Sequence, residues 1–76
     1  MSHLPPLKYR EVIERLRAHG FLFDRQAKGR HEICYNPATR RRNTVPHHPG
    51  MLPLGTLRAI IRQTGLTVDQ FLRRGP

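Results

Sequence analysis

The sequence predicts an α+β fold: one three-stranded antiparallel sheet with helices packed on one face, in the order α-β-β-β-α-α. Three observations carry this expectation. "LKYREVIERLRAHG" and "PLGTLRAIIRQTG" hold apolar residues at helical spacing, "RHEICY" alternates with period two, and glycine or proline punctuates each junction. Strand-like segments follow one another without intervening helices, which excludes a parallel βαβ arrangement. At 76 residues the chain is expected to form one domain, 1–76, because a unit of this size buries only about 60% of its unfolded surface.

The first helix is expected from about Lys8 to His19, with Tyr9, Val12, Ile13 and Leu16 on its apolar stripe and Gly20 at its C-terminal cap. Phe21, Leu22 and Phe23 begin a short strand that passes through Asp24, Arg25 and Gln26 into a turn around Lys28-Gly29. In the second strand His31, Ile33 and Tyr35 share one face, Glu32 and Cys34 the other, and Asn36-Pro37 stops it. Arg40 to Arg42 read as a basic turn, and Asn43 to Val45 as a third strand kept at the sheet edge by Pro46. The second helix starts after Pro53 and ends at Gly65, with Leu54, Leu57, Ile60 and Ile61 on its stripe. Thr67 and Gln70 form a capping box for a short third helix burying Val68, Phe71 and Leu72. Pro5-Pro6 and the tail after Leu72 read as frayed ends, His3 as part of a terminus, and His19 as a favourable charge at a helix end.

Fourteen Lys and Arg against five acids give a formal net charge of +9, so an anionic partner is expected. Most of the cations are arginines, whose planar fork pairs with phosphate and stacks on bases, which favours nucleic acid. No apolar run approaches the roughly 20 residues of a membrane span, and "MSHLPPLKYR" carries no signal-peptide core, so no membrane partner and a cytoplasmic location are expected. The single cysteine, Cys34, has no partner for an intramolecular disulfide and reads as a small buried hydrophobe.

Gly29-Arg30-His31 before a strand, then Val45-Pro46-His47-His48, then "LPLGTLRAIIRQTGLTVDQFL" together resemble the HicA-type toxins, the small mRNA-cleaving half of a bacterial toxin-antitoxin pair. The resemblance runs from about Tyr9 to Leu72 and lies in the order of elements rather than in any one motif. It implies a fold like a double-stranded RNA-binding domain, an active-site histidine at His31, and a HicB-like antitoxin that neutralises the toxin by covering it. The family pattern of glycine, a small or variable residue and histidine maps onto Gly29, Arg30 and His31, and its V-P-x-H segment onto Val45 to His48. Arg30 stands where serine or glycine is commoner; a cation there favours neutral imidazole and attracts phosphate.

Metal-independent cleavage of RNA requires a base for the ribose 2'-hydroxyl, an acid for the departing 5'-oxygen and stabilisation of the phosphorane charge. Histidine suits both proton roles, and Lys28 and Arg30 supply charge beside His31. His47 and His48 should point to opposite sides of an extended segment, and the family pattern selects His48 as a second proton-transfer residue or RNA contact. Arg40, Arg41 and Arg42 are the expected contacts to the RNA backbone, and Arg58 and Arg62 extend that surface or meet the antitoxin. His31, Cys34, His47 and His48 match no zinc-ligand spacing, so no metal or other cofactor is expected. The alternatives are a non-catalytic RNA-binding module using the same arginines, and a DNA-binding helix-turn-helix formed by "LGTLRAIIRQTGLTVDQFL".

Overall fold

The computed structural model describes residues 4–73, so His3 lies outside the described residues. Helix α1 spans Tyr9–Ala18, strands β1, β2 and β3 span Leu22–Ala27, His31–Asn36 and Arg41–Pro46, and helices α2 and α3 span Leu54–Thr64 and Val68–Leu72. The strands form one antiparallel sheet in chain order β1-β2-β3. This is the expected α+β class, with the element order of a double-stranded RNA-binding-domain-like fold.

Strand alternation decides which side of the sheet the helices cover. Cys34 and Asn36 of β2, with Asn43 and Val45 of β3, are buried, whereas Ile33, Tyr35, Arg42 and Thr44 on the other face are not. The buried face meets Val12 and Leu16 of α1, Leu57, Ile60 and Ile61 of α2, and Phe71 of α3 in one core. Each large side chain enclosed this way contributes roughly 1.5–3 kcal/mol of transfer free energy. Asn43 Nδ2 donates to the Ile60 carbonyl at 3.1 Å, tying β3 to α2, and Gln63 Oε1 accepts the Thr44 N–H at 3.1 Å along the outer edge of β3.

Local signals account for the helix ends. Glu11 Oε1 accepts the Lys8 N–H at 2.8 Å at the start of α1. The predicted capping box opens α3, with Thr67 Oγ1 accepting the Gln70 N–H and Gln70 Oε1 accepting the Thr67 N–H. His19 does more than complement a helix end. Its ring stacks on Phe71 with centroids 6.5 Å apart, and its Nε2 bonds the Arg73 carbonyl at 2.8 Å, so α1 is held to α3.

Three expectations need correction. The first strand begins at Leu22 rather than Phe21, whose side chain is buried in the core, and a bulge between Phe23 and Arg25 leaves Asp24 outside the pairing that Arg25 to Ala27 make with β2. Leu54 is 52% exposed, and of α2 only Leu57, Ile60, Ile61 and Thr64 are buried against the core. The basic turn holds Arg40 alone. Asn36 Oδ1 accepts the N–H groups of Ala38 and Thr39, and the Arg40 N–H returns to the Asn36 carbonyl at 2.7 Å. That closes the reversal, so Arg41 and Arg42 already belong to β3.

Candidate functional site

His31 is the first residue of β2, held against the three-residue helical turn Lys28–Arg30 that joins it to β1. Gly29 and Arg30 both take left-handed backbone conformations there, with φ of 71° and 59°. This folds the Lys28 carbonyl back to 2.9 Å from His31 Nδ1. A carbonyl only accepts, so Nδ1 is the donor, and in the neutral imidazole the lone pair then lies on Nε2. A Cβ at position 29 would stand 3.2 Å from Nδ1, so the glycine is required by the ring as well as by the turn. The histidine is partly exposed, at the rim of the sheet, and Lys28 and Arg30 are exposed beside it.

Across the sheet His31 pairs with Pro46, the last residue of β3, and the ladder continues one bond further, from the His47 N–H to the Arg30 carbonyl at 2.9 Å. His47 lies edge-on to the Tyr9 ring, with centroids 4.4 Å apart, and Tyr9 belongs to the helical side. His47 therefore turns away from the His31 face, as alternation requires. His48 follows outside the strand and is exposed. Tyr9 also donates its hydroxyl to Glu32 Oε1; burial and this carboxylate push the tyrosine well above its ordinary range. Burial, with the charge of Glu32 adding to it, pushes the Cys34 thiol up to about 11. Cys34 is free, buried and protonated at neutral pH, which suits a core residue.

The three arginines do not act as one patch. Arg40 is exposed at the turn, with φ of 61°. Arg41 leans onto the end of α2, donating to the Gln63 carbonyl at 3.4 Å. Gly65 leaves it room, since a Cβ there would come within 2.6 Å of Arg41 Nε. Arg42 lies on the open face, its guanidinium 4.5 Å from the centre of the Tyr35 ring and paired with Asp24 at 2.6 Å. Sequence reasoning missed the roles of Asp24 and Tyr35. The alternation of β2 already put Tyr35 on the His31 side, but the bulge that brings Asp24 there has no short-range signature.

Arg58 and Arg62 are exposed on α2 and line a shallow groove with Leu4, Ile61 and Val68 in the helical layer. Among the described residues no three His, Cys, Asp or Glu side chains come together as a metal site would need, and no helix is long and apolar enough to cross a membrane.

The site is thus a partly exposed histidine at the rim of the sheet of a basic α+β domain, preceded in sequence by two exposed cations. The family model described as "HicA toxin of bacterial toxin-antitoxin" matches residues 9–66, from the start of α1 through both histidine motifs to the end of α2. No curated protein matches the chain in sequence. The class is thus the toxin component of a bacterial toxin-antitoxin pair, whose counterpart is an antitoxin. Within that class, the chain belongs to the HicA toxin family.

Proposed function

We propose that this toxin is a metal-independent endoribonuclease acting on mRNA, with His31 as its catalytic residue. The observation that supports it best is the hydrogen bond between His31 Nδ1 and the Lys28 carbonyl, which in the neutral ring puts the lone pair on Nε2, at a partly exposed rim that follows exposed Lys28 and Arg30 in sequence. In this reading Nε2 takes the proton from a ribose 2'-hydroxyl, and the resulting alkoxide attacks the adjacent phosphorus. The 5'-oxygen leaves with a proton supplied by His48 or by water, yielding a 2',3'-cyclic phosphate and a 5'-hydroxyl. Lys28 and Arg30 stabilise the charge that builds on the phosphorane, and Arg40 holds backbone phosphate. Arg41 and Arg42 contribute less to phosphate binding than the sequence suggested, being engaged by α2 and by Asp24.

A HicB-like antitoxin would silence the toxin by covering His31 and the turn before it. A helix-turn-helix reading is disfavoured because α3 has only five residues and turns Phe71 inward, leaving no helix to lie in a groove.

The test is His31→Ala assayed on RNA with a chelator present. The variant should stay folded and bind RNA, while cleavage falls by roughly a hundredfold or more. Wild-type protein that leaves RNA intact in chelator across a wide pH range would overturn the mechanism and leave the binding-module alternative. His48→Ala separates an acid from a contact: loss of one limb of the pH-rate profile identifies proton transfer, and a uniform drop identifies positioning.

A further inference from the structure

We infer that the open face of the sheet is a single-strand track on which an RNA base stacks against the guanidinium of Arg42, so that Arg42 senses the presence of a base rather than a phosphate. This rests on RNA being what His31 meets. The face is organised in three cross-strand rows: Ala27, His31 and Pro46; Arg25, Ile33 and Thr44; Leu22, Tyr35 and Arg42. His31 and Tyr35 lie on the same strand face four residues apart, so the rows place the catalytic histidine about 13 Å from the aromatic end. A strand of RNA crossing the rows would meet the histidine first and the aromatic platform a short distance along.

Arg42 is built as a platform rather than as a clamp. It stands on β3 and its ion-pair partner Asp24 on β1, with all of β2 between them, a separation of about 10 Å. To span it the side chain lies over Tyr35, which fixes the guanidinium plane on one side by cation-π contact. The bulge between Phe23 and Arg25 accommodates Asp24 as the extra residue in β1. Because Nη1 is committed to a carboxylate, the group is a poor phosphate ligand. Its side chain is still 53% exposed, leaving a face open to solvent. A flat, oriented, partly neutralised cation beside exposed Leu22 and half-buried Ile33 is the surface a nucleobase stacks on.

The experiment uses the full chain carrying His31→Ala, so that no RNA is consumed. It compares binding to a short oligoadenylate and to the same backbone with abasic linkers. The affinity ratio between the two probes should be about ten or more for the parent and fall roughly tenfold in Arg42→Lys. The slope against salt should stay unchanged because the charge is kept. Asp24→Asn, which unpins the guanidinium, should lower the same ratio even as removal of a negative charge raises overall binding. A parent ratio of one, or an unchanged ratio in both variants, overturns the platform. Cleavage by wild-type protein is read separately. Its absence would remove the catalytic proposal and leave the stacking ratio standing, whereas a ratio of one with intact cleavage would do the reverse.

Discussion

Replacing Gly29 by alanine tests whether the turn before β2 exists to hold His31. At φ of 71° an L-residue costs about 1–2 kcal/mol relative to glycine, and in a domain of this size each kcal/mol lowers Tm by about 4–8 °C. The new methyl carbon would stand 3.2 Å from Nδ1 and 3.4 Å from Cε1 of His31, so the ring must give by a few tenths of an ångström. Such a shift weakens the bond to the Lys28 carbonyl and moves Nε2. Misplacing a reacting group by 1 Å costs about a hundredfold, so a loss of roughly tenfold in RNA cleavage is expected. Gly50 supplies the control: its φ of 79° carries the same backbone strain, yet a Cβ there meets nothing within 4 Å. Gly50→Ala should therefore lower Tm comparably and leave cleavage unchanged. The direct readout is long-range ¹H–¹⁵N correlation of the imidazole, which should show a protonated Nδ1 in wild type and Gly50→Ala and a mixed tautomer in Gly29→Ala. If Gly29→Ala keeps both its tautomer and its rate, the turn does not position the histidine and this reasoning is wrong.

Two further outcomes are expected, alongside those for His31 and Arg42. Asn36→Ala removes a buried side chain that donates to the His19 carbonyl and accepts from Ala38 and Thr39, and should cost about 2–3 kcal/mol in urea unfolding. Asn36→Asp, which sets a buried carboxylate oxygen against the His19 carbonyl, should be less stable than wild type at neutral pH and recover part of the loss as the pH falls and the carboxyl protonates. For pH dependence, the Cys34 thiol sits near 9 when unfolded and about 11 when folded. Between those values the folded state holds a proton that the unfolded state has lost. Stability from this group is present below pH 9 and lost as pH rises toward 11, on the order of 2 kcal/mol. Cys34→Ala should flatten that decline, and Tyr9, raised in the same direction, adds loss at higher pH still.

The helices, the hairpin order and the exposure of His31 were legible because each rests on near neighbours in sequence: apolar spacing in α1 and α2, alternation in β2, and capping at Thr67 and Gln70. What escaped the sequence was the point at which a local turn closes and the contacts set by residues far along the chain. Arg40, Arg41 and Arg42 look like one loop until Asn36 closes the turn early and alternation sends the last two to opposite faces. Asp24 reads as a polar strand end until it meets Arg42, 18 residues away. Leu54 fits the apolar stripe by spacing, but its burial depends on what packs against that turn of α2, which no local pattern records.

The acceptor that orients His31 is a main-chain carbonyl rather than a carboxylate side chain, and this divides the freedom of two neighbouring positions. Any residue at position 28 presents the same oxygen, so the charge beside the histidine can be changed without removing the acceptor that holds the ring. Position 29 has less latitude, because a side chain there would strain a left-handed backbone and press on the imidazole. The turn thus separates the charge displayed next to His31, which the position 28 side chain sets, from the orientation of the ring, which the backbone sets.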